Sequence, residues 1–284
     1  MIRWEARGRE VVAGLVPRVM GIINVTPDSF SDGGRTSRPE HAVEQGSLFE
    51  REGADLLDVG GESSRPGSEP VSLVEELRRV LPVVERLVER VRVPISVDTT
   101  KSEVARQAVR AGASIINDIT ALSSDRRLLD VVVESGAGIV LMHMQGVPRT
   151  MQHAPHYEDV VGEILRYLEG RIAWAESMGV ERFRIAIDPG IGFGKTLEHN
   201  LTILRNLERF ATLGCALLVG TSRKGMLGTL TGRPVQERVS ASVTSSLAAA
   251  VAGANVLRVH DVGPLVDAIK VWSAVRGWDE VSYS

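Results

Sequence analysis

Gly53-Ala54-Asp55-Leu56-Leu57-Asp58 is a glycine followed by a short apolar run, here ending on an acid, and the chain repeats the glycine and the apolar run three more times. The other copies are Gly112-Ala113-Ser114-Ile115-Ile116-Asn117, Gly136-Ala137-Gly138-Ile139-Val140-Leu141 and Gly253-Ala254-Asn255-Val256-Leu257-Arg258. A glycine can stop a helix in the left-handed conformation. A short aliphatic run without alternation reads as a strand buried on both faces, as in a parallel sheet. Counting every such run gives eight strands: 19–25, 56–60, 95–98, 114–118, 138–143, 184–188, 216–220 and 256–260. Between them lie amphipathic stretches of helical period, including 71–88, 102–111, 157–178 and 237–252. A βα unit repeated eight times is the sequence form of an α/β (β/α)8 TIM barrel, and 284 residues suffice for one. An open doubly wound sheet is the alternative, but nothing in that architecture makes it stop at eight. Residues before 19 read as a short N-terminal hairpin, with arms 4–10 and 11–16 around Gly8, covering the barrel floor. With no linker or low-complexity stretch, residues 1–284 are expected to form a single domain.

The chain carries 33 Lys plus Arg against 36 Asp plus Glu, a net charge of −3. A balance that close to neutral argues against a nucleic-acid partner held by bulk electrostatics, and leaves room for a local cationic pocket for a small anion. Residues 1–10 mix acids and bases, and no run approaches the ~18 apolar residues of a membrane helix. The expectation is a cytoplasmic chain with no membrane partner. The single cysteine, Cys215, excludes an intramolecular disulfide and leads into Ala216-Leu217-Leu218, so it reads as buried rather than reactive. Of the basic residues 29 are Arg and only four are Lys, at 101, 195, 224 and 270, which makes each lysine worth locating.

In a (β/α)8 barrel the active site lies at the C-terminal ends of the strands. Here the apolar runs end on Asn24, Asp58 then Glu62, Asp98, Asn117-Asp118, His143, Asp188, Ser222 with Lys224, and Arg258 with His260. Convergence on one mouth accounts for them better than chance strand ends do. Arg258 and His260 are two apart, so on a strand they point the same way. In the last strand, where barrels frequently hold phosphate, they read as an anion clamp. Asp188-Pro189-Gly190-Ile191-Gly192-Phe193-Gly194-Lys195-Thr196 imitates a P-loop at its tail, but Pro189 occupies the position of that motif's first glycine, which excludes the nucleotide reading. Its glycines suggest an aromatic, Phe193, held out on a pliable loop, with a core Phe193 as the alternative. No set of protein ligands has zinc spacing, and no nucleophile elbow is present.

Taken together the loops resemble the dihydropteroate synthases. The motifs are Met20-Gly21-Ile22-Ile23-Asn24-Val25-Thr26-Pro27-Asp28-Ser29-Phe30-Ser31-Asp32-Gly33-Gly34, Gly61-Glu62-Ser63-Ser64-Arg65-Pro66-Gly67, Ser96-Val97-Asp98-Thr99, Ile116-Asn117-Asp118, the segment from Asp188 to Lys195, Thr221-Ser222-Arg223-Lys224 and Arg258-Val259-His260. Each is weak alone; seven in order, spanning Met20 to His260, are specific. Ser64 stands where the family usually carries threonine, and the hydroxyl survives.

The resemblance implies transfer of the 7,8-dihydropterin-6-ylmethyl group from 6-hydroxymethyl-7,8-dihydropterin diphosphate to p-aminobenzoate, releasing diphosphate by an SN1-like route. It implies Asp98, Asn117, Met142, Asp188 and Lys224 at the pterin, and Asn24, Arg258 and His260 at the diphosphate, with Mg2+ on Asn24. Phe30, Ser64, Arg65, Pro66, Phe193, Ser222 and Lys224 would surround p-aminobenzoate. Asp98, Lys224, Arg258 and His260 would carry the chemistry. Sulfonamides would mimic p-aminobenzoate, and a homodimer is implied, through late helices such as 237–252 and 264–278. The alternatives are a methyl-folate-dependent corrinoid methyltransferase, which predicts neither Arg65-Pro66-Gly67 nor the Arg258/His260 pair, and a non-catalytic pterin-binding paralogue.

Overall fold

Side chains alternate across a strand, so one register decides which residues line a barrel and which face its helices. In the computed structural model, which describes residues 2–12, 16–25 and 38–276, the apolar runs sort into two layers by this rule. The strands are β3 (Arg18–Asn24), β4 (Leu56–Gly60), β5 (Ile95–Asp98), β6 (Ile115–Asp118), β7 (Gly138–Met142), β8 (Ile185–Asp188), β9 (Ala216–Val219) and β10 (Val256–Val259). They form a closed barrel in the order β10-β3-β4-β5-β6-β7-β8-β9, every neighbour parallel. Met20, Leu56, Ile115, Val140, Ala186, Leu218 and Val256 form one buried cluster inside it. Their strand neighbours Leu57, Ile116, Ile139, Ile187, Leu217 and Leu257 belong to the larger cluster beneath the helices.

The eight-stranded barrel expected from the repeats is therefore present, with strand limits within two residues of the sequence reading. The helices are α1 (Arg38–Arg51), α2 (Leu73–Arg90), α3 (Ser102–Ala111), α4 (Leu128–Ser135), α5 (Val160–Ser177), α6 (Leu197–Arg205), α7 (Gly225–Thr231), α8 (Val239–Val251) and α9 (Val262–Arg276). α2 and α5 start two and three residues later than the periodicity suggests. Ser72 and Asp159 cap them, their side chains accepting from the Glu75 and Gly162 amides. Residues 277–278 of the last expected helix lie outside the described residues.

The hairpin is β1 (Trp4–Ala6) and β2 (Arg9–Val12). Its second arm starts at Arg9, not at 11, because both Arg7 and Gly8 take positive φ (51° and 74°), a two-residue turn whose twist matches the strands. Residues 13–15 of the expected second arm lie outside the described residues. Trp4, Ala6, Val11 and Val12 join the inner cluster, so the hairpin closes the N-terminal end. The Trp4 indole N–H donates to the Arg184 carbonyl at 3.1 Å. Among the described residues no helix is long and apolar enough to cross a membrane. Cys215 is buried, and burial pushes its thiol up to about 12.

Candidate active site

Two residues beyond the inner apolar layer, each strand offers its next inward position. From Leu56 this is Asp58, from Ile115 Asn117, from Val140 Met142, from Ala186 Asp188 and from Val256 Arg258; on β5 the inward pair is Ser96 and Asp98. The register that buries the floor therefore also builds a polar tier under the mouth.

Arg258 organises one half of that tier. Its Nε donates to Asp58 Oδ2 at 2.6 Å and its Nη2 to Asp98 Oδ2 at 2.9 Å, while Asn117 Nδ2 donates to Asp58 Oδ2 at 3.0 Å. One guanidinium thus ties β10 to β4 and β5. Burial raises the Asp98 carboxyl, with the Arg258 charge opposing and Asp58 adding to the rise. Asp58, fully buried, is placed by sequence reading among the polar strand ends at the mouth but given no role there; its signal was the inward register it shares with Leu56. Arg258, read from sequence as half of an anion clamp, commits two of its donor groups to carboxylates.

The other half centres on Asp188 and Lys224. Asp188 Oδ1 accepts from the Gly190 amide at 2.7 Å, and burial raises its carboxyl, with Lys224 among the opposing charges. Lys224 Nζ donates to the Ile191 carbonyl at 2.6 Å and lies 4.1 Å from the centre of the Phe193 ring. Burial pulls this ammonium down to about 8, Asp188 opposing. Phe193 is not held out: it packs into a small apolar cluster with Ile119, Met142 and Met151. Gly190, Gly192 and Gly194 all have positive φ. A Cβ at Gly190 would fall 1.9 Å from the His143 carbonyl oxygen, and one at Gly194 2.3 Å from that of Gln145, so the glycines let this loop lie flat on the exit of β7.

At the rim, Ser222 Oγ accepts from the His260 amide at 3.2 Å and stands 3.1 Å from His260 Nδ1. The hydroxyl, with one donor and two acceptor sites, can serve both the amide and the ring nitrogen. Burial, with Arg223, Arg258 and Arg65 adding to it, pulls His260 down to about 3, so it is a neutral N–H donor near neutral pH. Asn24 ends β3, half-buried, in register with Gly60, which is itself paired with Asp98. Ser64 shares a groove of about 520 Å³ with Asp98, Lys101 and Met144. Arg65 and Pro66 are exposed on the same loop, whose Gly67 amide donates to the Pro148 carbonyl. Phe30 lies outside the described residues. Lys101, unremarkable in sequence, is ion-paired with Glu62 and the buried Glu76. Among the described residues no group of three or more His, Cys, Asp or Glu is placed to hold a metal ion.

A model of the pterin-binding enzyme family matches residues 20–260. Over 258 residues the chain is 49% identical to the dihydropteroate synthase of Escherichia coli K12, covering 91% of each chain. The chain belongs to the dihydropteroate synthase family of pterin-binding enzymes. Among solved structures it is similar to a Xanthomonas albilineans dihydropteroate synthase with 4-aminobenzoic acid (51% identity, 96% of this chain and 98% of that one, TM-score 0.90). It is also similar to a Yersinia pestis dihydropteroate synthase in complex with a sulfonamide drug (43% identity, 97% and 100% covered, TM-score 0.91). For this member of the pterin-binding enzymes, the inward tier from Asp58 to Arg258 therefore falls wholly within the span that the family model matches.

Proposed function

We propose that the chain catalyses the dihydropteroate synthase reaction of folate biosynthesis, an alkyl-group transfer. The substrates are 6-hydroxymethyl-7,8-dihydropterin diphosphate and p-aminobenzoate, and the products are 7,8-dihydropteroate and diphosphate. The observation that carries this reading is the tier of buried Asn117 and Asp188 with half-buried Asp98, Lys224 and Arg258 at one barrel mouth, in a chain 49% identical to a dihydropteroate synthase.

The tier suits the pterin edge. Amino and ring N–H donors need acceptor-only partners, which Asp188 and Asp98 supply, and Asn117 can donate and accept. Lys224 donates to ring oxygen or nitrogen, and Met142 packs on the ring face beside Phe193. A buried carboxylate without a full set of donors is costly, so the pterin completes the site. Arg258, His260 and Asn24 hold the diphosphate: Arg258 offers charge, and neutral His260 offers one N–H. The C–O bond to diphosphate breaks first, the electron pair leaving with the phosphate. Asp98 stabilises the cation spread over the pterin. The p-aminobenzoate amine then attacks the methylene carbon and loses a proton, held against Phe193, Pro66, Ser64 and Phe30 with Ser222, Lys224 and Arg65 at the edge. Loop closure excludes water that would quench the cation. Sulfonamides occupy the p-aminobenzoate position.

The donor set at the mouth fits Mg2+, because the Asn24 amide oxygen is a hard ligand and Mg2+ is commonly held by one or two protein groups plus substrate phosphates. When bound, the ion would offset diphosphate charge. We also propose a homodimer through α8 and α9, which pack on each other and expose Val251, Val271 and Val275.

The test is direct. Protein, pterin diphosphate, p-aminobenzoate and Mg2+ are mixed and 7,8-dihydropteroate is followed; folded protein that forms none overturns the reading.

A further inference from the structure

Lys195 follows the Phe193 loop and is 3% exposed. A lysine ammonium is rarely enclosed unless its donors are satisfied. Here three acceptors surround Nζ: the Phe193 carbonyl at 2.9 Å, His143 Nδ1 at 3.1 Å and the His143 carbonyl at 3.4 Å. An ammonium has three donors, so the set is complete. An ammonium donating to Nδ1 meets a neutral His143 with its proton on Nε2, in keeping with a histidine that burial and the Lys195 charge pull down to about 3; burial pulls the ammonium itself down to about 7, with Asp188 opposing.

Two of these acceptors belong to the residue that follows Met142 at the end of β7. The third belongs to the residue whose ring packs on Met142 and under Lys224. We propose that Lys195 is a positioning residue, whose ammonium fastens the Phe193 loop to the end of β7 and thereby fixes the aromatic face against which p-aminobenzoate packs. The inference rests on the reaction proposed above. The neighbouring contacts agree with it. Lys224 holds the Ile191 carbonyl, Asn200 accepts from the Gly192 amide at 2.7 Å, and Tyr157 Oη donates to the Gly194 carbonyl at 2.9 Å. The peptides from Ile191 to Gly194 are each held by a side chain, three of them from outside the loop, and Lys195, from the loop's own end, holds the one that carries the ring. Specificity for the second substrate would then depend on a side chain behind the loop that touches no substrate.

The experiment compares the wild-type chain with Lys195→Met, which keeps length and bulk without charge, under saturating Mg2+. Loss of a charge-assisted hydrogen bond should raise KM for p-aminobenzoate about tenfold and change KM for pterin diphosphate by less than about twofold. Tyr157→Phe, which removes a neutral bond to the same loop, should raise KM for p-aminobenzoate about two- to threefold, again alone. A folded Lys195→Met protein with equal rises in both KM values, or with neither, overturns the inference. If Lys195→Met does not fold, Tyr157→Phe decides: a rise confined to p-aminobenzoate supports the grip, and a shared or absent rise refutes it. Wild-type protein that makes no dihydropteroate overturns the underlying reaction instead, an outcome visible before any variant is assayed.

Discussion

Arg258 Nε meets Asp58 Oδ2 at 2.6 Å across 200 residues of chain, and the same guanidinium reaches Asp98 on the next strand. A buried charge pair is weak evidence for net stability, but removing one partner strands the other. Arg258→Ala should therefore lower unfolding free energy by about 3 kcal/mol, and adding Asp58→Asn should recover part of that loss. Denaturant melts of the single and double variants check this. In the surviving folded fraction, calorimetry should show weaker binding of pterin diphosphate than of free pterin, because the clamp charge is gone. Equal weakening of both ligands would refute the diphosphate role.

Asp188 holds the loop through the Gly190 amide and has a second oxygen, which the proposed reaction assigns to the pterin. Asp188→Asn keeps an acceptor for Gly190 and removes the charge, so the fold should survive. Pterin affinity should fall about 10- to 100-fold, the range expected for one or two hydrogen bonds to a charged group. Titration calorimetry at fixed pH measures it; an affinity unchanged within error would show that Asp188 does not face the ligand.

His143 and His260 make stability depend on acid. Burial holds both near about 3 in the folded chain, against ~6.5 in an unfolded one. Below the unfolded value the unfolded chain takes up protons that the native protein refuses. The histidine contribution is thus complete above about pH 6.5 and is lost as pH falls from there toward 3. The Asp98 carboxyl, raised by burial to about 7, works the other way over the same interval. The histidine share is therefore read as a difference: between pH 7 and pH 5 the melting temperature of His143→Gln should fall less, or rise more, than that of the wild-type chain. The same pH dependence in both chains would count against a buried neutral His143.

Trp4 is fully buried at the opposite end of the barrel from the tier. Trp4→Ala should cost about 3–5 kcal/mol, the usual range for deleting a core aromatic. kcat/KM per folded molecule should stay within about twofold, since the floor touches no substrate. A large loss of kcat/KM in protein shown to be folded would tie the floor to the chemistry.

The barrel was legible because glycine punctuates four of the eight βα units: Gly53, Gly112, Gly136 and Gly253 all adopt positive φ where the repeats put them. Strand ends pointed to Asp98, Asn117, Asp188 and Arg258, and the structure draws them into one tier. Asp58 was harder to read, because a polar strand end is common and only the closed register shows it facing Arg258. Lys101 looked ordinary since its partners, Glu62 and Glu76, come from other elements. The charge state of His260 was also hidden, being set by burial and by the charges of Arg223 and Arg258. The hairpin turn lies at Gly8 as read, and only the limit between its arms was off, because arginine seldom takes the positive φ that Arg7 adopts.

Strand β3, the first of the barrel, pairs with β10, the last, and with β4. On a ribosome, therefore, one edge of the nascent sheet stays open until residue 259 has emerged. The hairpin meets the same delay, since its indole bonds to residue 184 and its apolar face packs against Val256. Such long-range closure is slow and leaves strand edges exposed in the interval. Truncation anywhere before Arg258 would therefore forfeit the clamp, the last barrel seam and the floor seal together, so chains cut short should accumulate as aggregation-prone open sheets rather than as smaller working enzymes.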